Sequence, residues 1–188
     1  MTGSRVYPDE PAGPFPSPPS EFEDGEGRTI DVQALEEDDE DQIDALVEMY
    51  DDFDAADRAQ GIPPSGEKRI RDWLEPIFAG GVNVVAWHDE TVAGHATLVP
   101  EIDDPDTADD YGAIEWELAI FVHQTYQRAG IGTKLLEHLL GHASDRGIDR
   151  IWLTVERWND PAIALYERVG FETCSTESFE QEMAIRLE

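Results

Sequence analysis

The chain has 188 residues, with 13 Lys or Arg against 43 Asp or Glu and a formal net charge of −30. That length suits one domain with its own core plus a tail, and so acidic a chain argues against nucleic-acid binding, which needs a basic footprint for phosphates. Cys174 is the lone cysteine, so no internal disulfide forms and a reducing cytoplasm fits. No apolar run nears the ~20 residues that span a membrane, and the N-terminus lacks a signal-peptide core, so no membrane association is expected.

In chain order, residues 1–27 hold six prolines among glycines and acids, without periodicity. They read as a disordered, acidic, Pro-rich tail, passive although Phe15 and Phe22 could anchor it, and the folded domain is placed at residues 28–188. Alternation of Ile30, Val32 and Ala34 suggests a first strand. The acidic run from Glu36 to Asp41 then opens a helix, where negative charge suits the dipole, with Ile43, Leu46, Val47 and Tyr50 as its apolar stripe. After the breaker Gly61-Ile62-Pro63-Pro64, a second helix is expected over 67–78, with Ile70, Trp73, Leu74 and Ile77 inward. Residues 82–87 and 92–99 read as a β-hairpin, residues 101–110 as a solvated acidic loop, and residues 113–122 as the next strand.

That strand ends on Leu118-Ala119-Ile120-Phe121-Val122, a short apolar run of the kind that is buried in a sheet. Ile131, Leu135, Leu136, Leu139, Leu140 and Ala143 follow at helical spacing. Between them lies Tyr126-Gln127-Arg128-Ala129-Gly130-Ile131-Gly132-Thr133. A helix start exposes unpaired N–H groups and the positive end of the dipole, so a strand, a glycine turn and a helix in sequence form a phosphate cradle. Residues 126–170 carry six basic and six acidic side chains, so this stretch is neutral while the rest of the chain bears the deficit. On helix α-spacing His138 and His142 share a face, but no metal-site pattern accompanies them, and they read as surface residues. Residues 151–155 form a further buried strand. Asn159 reads as an N-cap with Pro161 in the first turn and Gly170 closing the helix, and residues 171–187 leave room for two closing strands.

Two blocks in order, Gln127-x-x-Gly130-x-Gly132 and Asn159 followed seven residues later by Tyr166 and then Gly170-Phe171, resemble the two hallmarks of the GCN5-related N-acetyltransferases (GNAT). The resemblance runs from about Arg28 onward. It implies an α/β (α+β) fold, with a mixed, mostly antiparallel sheet of six to seven strands and four helices around it. It also implies acetyl-coenzyme A (acetyl-CoA) as co-substrate. The pyrophosphate would lie on the backbone of Arg128, Ala129, Gly130, Ile131, Gly132 and Thr133, and the pantetheine arm along Ile120, Phe121 and Val122, with an N–H of Phe121 or Val122 polarising the thioester carbonyl. Asn159 would bind the pantetheine and Tyr166 would protonate the leaving sulfur; seven residues along a helix is roughly 10 Å on one face. In the resembled family the first two helices cover the acceptor site, which makes Tyr50, Phe53 and Trp73 candidates to shape it, although aromatic residues at helical spacing also read as core.

The general base is less evident. Relatives that acetylate ribosomal-protein N-termini often carry a glutamate twelve residues before the tyrosine; here that position is Thr154. Glu117 is the first candidate, with Glu115 and Glu156 behind it. The function implied is transfer of an acetyl group to a primary amine, on a protein N-terminus or a small molecule. The alternative is a non-catalytic acyl-CoA sensor, which the threonine at 154 keeps open. A homodimer also stays open. Dispersed carboxylates with only two lysines, Lys68 and Lys134, resemble the proteins of extreme halophiles, where such a surface keeps a chain hydrated in salt, and suggest a halophilic archaeon as source.

Overall fold

The computed structural model describes residues 5–35, 39–58, 62–102 and 110–188. The elements in chain order are β1 (Ser20–Glu23), β2 (Thr29–Ala34), α1 (Glu40–Asp51), α2 (Glu67–Gly80), β3 (Val82–His88), β4 (Thr91–Pro100), β5 (Glu115–Val122), α3 (Ile131–Asp145), β6 (Arg150–Glu156), α4 (Asp160–Val169), β7 (Glu172–Thr176) and β8 (Glu180–Arg186). The strands form one mixed sheet in the order β1-β2-β3-β4-β5-β6-β8-β7. All neighbours are antiparallel except β5 and β6. The expected α/β class and four helices are present among the described residues. The sheet has eight strands rather than six to seven, because the N-terminal segment contributes one.

Local chemistry explains the helix ends. Asp39 caps α1 by accepting from the Gln42 N–H at 3.2 Å; residues 36–38 of the expected helix start lie outside the described residues, as does most of the acidic loop at 101–110. Asn159 caps α4 through the Ala162 N–H, and Gly170, at φ +113°, closes it in the left-handed conformation that suits glycine.

Two cores sit on opposite faces of the sheet. One packs α3 and α4 against it, with Leu135, Leu136, Leu139 and Leu140 at its centre; the other packs α1 and α2 over β3 and β4, around Leu46, Tyr50, Ile70 and Leu74. On β5 the side chains divide accordingly: Trp116 and Leu118 belong to the first core, while Phe121 packs against the second.

The segment expected to be disordered is ordered from residue 5 onward. Ser20–Glu23 pairs with β2, Ala12 bridges Leu187, and Phe15 and Phe22 pack on the first core. Its backbone hydrogen bonds, invisible to a reading by composition, tie it down. The crossing also explains Gly141: a Cβ there would collide with the Pro16 carbonyl. In a free helix alanine would be preferred to glycine by about 1 kcal/mol, but here the close approach decides. With α3 covered on more than its apolar stripe, His138 is buried rather than on the surface, its Nδ1 donating to the Lys134 carbonyl at 2.6 Å, and His142 is half-buried.

Candidate active site

The parallel pairing of β5 with β6 lasts only three residues, Glu115 to Glu117 opposite Arg150 to Trp152. Beyond Glu117, β5 runs on to Val122 alongside β4 alone, so the sheet opens into a gap. The Glu101 N–H donates to the Glu115 carbonyl and the His123 N–H to that of Ala93, which shows that odd-numbered residues of β5 aim their backbone at β4. Regular alternation therefore turns the backbone of Ile120 and Val122 to the gap. This corrects the expectation for Phe121: its N–H faces β4, and its ring joins Tyr50, Phe53 and Trp73 edge-on, with centroids 5.5, 6.2 and 5.7 Å away. Tyr50 and Phe53 are buried in that cluster, whereas Trp73 and Phe121 are partly exposed, so Tyr50 and Phe53 act as core.

The gap leads to the N-terminus of α3. Arg128 and Gly130 both have positive φ, +58° and +83°, so the chain reverses its curvature twice and turns successive N–H groups outward into a nest for an anion. Space above Gly130 is empty, while a Cβ on Gly132 would touch Leu165 at 3.6 Å and Val122 at 3.7 Å. The end of β5, the first turn of α3 and α4 thus converge on one point. Thr133 lies there with Arg168 of α4 3.5 Å away, and Arg128 makes no ion pair among the described residues. These groups fit the phosphates of a coenzyme; a Cβ at Gly130 would protrude into the vacant space. Among the described residues no cluster of ligating side chains suits a metal ion, and no helix is long and apolar enough to cross a membrane.

The turn is held from three sides. Gln127 donates to the Val122 carbonyl and to Asp57, each at 3.0 Å. Gly25 donates to the Ala129 carbonyl at 2.9 Å. Next to it the buried Asp24 carboxylate accepts from the N–H groups of Glu26 and Arg28 and from Arg28 Nε, and the Arg28 guanidinium lies 4.5 Å over the Tyr126 ring. Burial alone would raise the Asp24 pKa, but these donors outweigh it and hold the carboxyl below its ordinary range. The Gln127 signal was in the motif; the brace from residues 24–28 had no sequence signal beyond a charged turn.

Tyr166 rests half-buried against Phe171, with ring centroids 5.7 Å apart, and its hydroxyl makes no hydrogen bond to a described residue. Burial pushes its pKa up to about 12, so it stays protonated at neutral pH. The Asn159 carbonyl oxygen caps its own helix at 3.3 Å, leaving its NH₂ group to donate elsewhere. Glu117 lies on the α1–α2 face of the sheet. Although the residue is exposed, its carboxyl has lost enough water to sit above the usual carboxylate range, helped by the nearby Glu101 charge and opposed by Arg5. Thr154 shares that face and pairs across the ladder with Glu182, and Glu156 with Glu180. The carboxylate absent at 154 therefore has a neighbour on β8, which spacing along one strand could not reveal.

Beneath the α1–α2 side lies a buried relay. The Tyr50 hydroxyl donates to His95 Nδ1 at 2.6 Å, and His95 Nε2–H donates to Asn83 Oδ1 at 2.8 Å. Full burial holds the His95 pKa down at about 3. The unfolded chain takes up this proton below about pH 6.5, whereas the native state resists until about pH 3. The stabilisation is complete above pH 6.5 and is lost as pH falls toward 3, amounting to roughly a few kcal/mol by linkage. Urea midpoints measured from pH 7 to 4 should fall more steeply for the unsubstituted chain than for His95→Gln; parallel slopes would mean that His95 is not the group titrating.

The chain matches the profile of the Acetyltransferase (GNAT) family over residues 44–171. It is 50% identical over 52 residues to a [Ribosomal protein bS18]-alanine N-acetyltransferase of Escherichia coli (strain K12), covering 28% of this chain and 35% of that relative. The chain thus spans about a third of that protein's length in the match. Among solved structures it resembles the GNAT domain of S. lividans PAT, with TM-score 0.71 and 20% identity over 89% of this chain and 96% of the other. It also resembles the PaiA N-acetyltransferase of Thermoplasma acidophilum in complex with coenzyme A, with TM-score 0.58 and 18% identity over 84% of this chain and 98% of that one. At these identities the two likenesses concern the fold. With the profile covering more than half of its residues, the chain belongs to the Acetyltransferase (GNAT) family.

Proposed function

We propose that the protein is an acetyl-CoA-dependent N-acetyltransferase acting on a primary amine by direct transfer. The observation that carries this reading is the β5–β6 gap ending at the nest on α3. Pantetheine would lie along the backbone of Ile120 and Val122 and accept from the Asn159 NH₂ group, while pyrophosphate would rest on residues 128–133 beside Arg128 and Arg168. The amine approaches from the face that carries Glu117, which takes the ammonium proton. The free amine attacks the thioester carbon, the carbon–sulfur bond breaks, Tyr166 protonates the departing thiolate, and the proton shed by the acylated nitrogen returns through solvent to the tyrosinate. A raised carboxyl pKa suits Glu117 as base and a tyrosine that stays protonated suits Tyr166 as acid.

The match to an alanine N-acetyltransferase supports a protein N-terminus as one acceptor class, with small amines as the other. A net charge of −30 supports a halophilic setting. The test is thiol release from acetyl-CoA in molar potassium chloride against N-terminal peptides, polyamines and amino-acid amides. The expected result is amine-dependent thiol release matched one-to-one by acetylated amine. Acetyl-CoA binding with no release above hydrolysis for any amine would favour the sensor reading.

A further inference from the structure

On the α1–α2 face, the helices cover β3, β4 and the Phe121 end of β5, and Arg5 of the N-terminal segment lies over Glu115 of β5, Trp152 of β6 and Glu182 of β8. Arg5 is the segment's anchor. Its Nη1 contacts Glu101 at 2.7 Å and Glu115 at 3.0 Å, its Nε stands 3.7 Å from Glu182, and its guanidinium carbon is 3.4 Å over the Trp152 ring. Glu117 lies between Glu115 and the opening of the gap, opposite Trp152 in the parallel register.

Two features set this apart from an ordinary surface ion pair. The cage has more negative charge than one guanidinium neutralises, with three carboxylates in contact. The fit is also incomplete: Arg5 Nε is buried and finds no hydrogen-bond partner. An aromatic floor with acidic walls recognises a cation by stacking and charge together. It sits beside the strand that would hold the thioester, on the face from which the proposed reaction brings the acceptor.

We infer that this cage is the subsite for a guanidinium group of the acceptor, carried near the reacting amine, and that Arg5 is its tethered occupant. The inference rests on the acetyltransferase reading for the word acceptor, but the cage's preference for a cation is testable without turnover. A tethered occupant competes at an effective concentration near the millimolar range, so a free cation must displace it.

Calorimetric titration with L-argininamide, at one fixed salt concentration, reads this directly; norleucinamide shares the α-amine and lacks the side-chain charge. Arg5→Ala and Arg5→Gln should bind argininamide at least about tenfold more tightly than the unsubstituted chain, with norleucinamide unaffected. Adding Glu182→Gln should cancel the gain. Equal argininamide binding with and without Arg5, or an equal gain for norleucinamide, would overturn the inference and leave Arg5 a structural anchor. In the unsubstituted chain, saturating argininamide should also speed amide exchange over residues 5–9; unchanged exchange would overturn it without reliance on a variant. Coenzyme A titrated in parallel separates the two readings, since its failure to bind would remove the acetyltransferase reading while leaving the argininamide result intact.

Discussion

Replacing Tyr166 with phenylalanine should lower turnover by roughly 10²–10⁴-fold, the usual worth of positioned acid catalysis, where chemistry limits the rate. The ring still packs on Phe171, so the fold and acetyl-CoA affinity should barely change. The hydroxyl has no partner among the described residues, so its removal breaks no internal hydrogen bond and the lost rate reports on chemistry. Glu117→Gln is the companion: a base whose pKa is raised is active only once deprotonated, so the substitution should flatten the acid limb of the pH–rate profile. Single-turnover kinetics distinguish chemistry from product release. A Tyr166→Phe enzyme with unchanged chemical rate would make the tyrosine a packing residue, and positioning alone would then carry the reaction.

Much of this site could be read along the chain because its parts are local. Asn159, Pro161 and Gly170 mark α4 by capping chemistry that operates within a few residues. Leu135, Leu136, Leu139 and Leu140 declare one buried face of α3 by spacing alone, and Gly130 lies where a phosphate nest needs a positive φ. The same locality explains the failures. Ser20–Glu23 has one apolar residue and prolines before it, and its strand character comes from the β2 backbone it pairs with. Composition alone points to disorder because nothing in the segment itself buries much surface.

Register and long-range charge were likewise out of reach. Whether Phe121 or Val122 offers its N–H to the gap depends on which residues of β5 bond to β4, a parity that apolar composition cannot express. His138 reads as exposed by its spacing on α3, yet the fold buries it. Arg5 and Glu182 lie 177 positions apart in the sequence, and only the fold makes them neighbours. Thr154 is a missing acid only along its own strand; its ladder partner, Glu182, puts a carboxylate on the same face.

The cradle on α3 is the central claim, and titration of acetyl-CoA into the unsubstituted chain and Gly130→Val tests it most directly. Valine at φ +83° is strained by about 1–3 kcal/mol, a cost a folded domain can bear, and thermal unfolding should remain cooperative. Its side chain would enter the vacant space where pyrophosphate meets the N–H groups. Losing two charge-assisted hydrogen bonds, each worth about 1.5–3 kcal/mol, corresponds to roughly 10²–10⁴-fold in affinity. Calorimetry should show saturable one-site binding to the unsubstituted chain and a loss of that size, or no measurable binding, in the folded variant. Equal affinity in both would contradict the account, because it would place the phosphates of the coenzyme away from the turn around which the site is built.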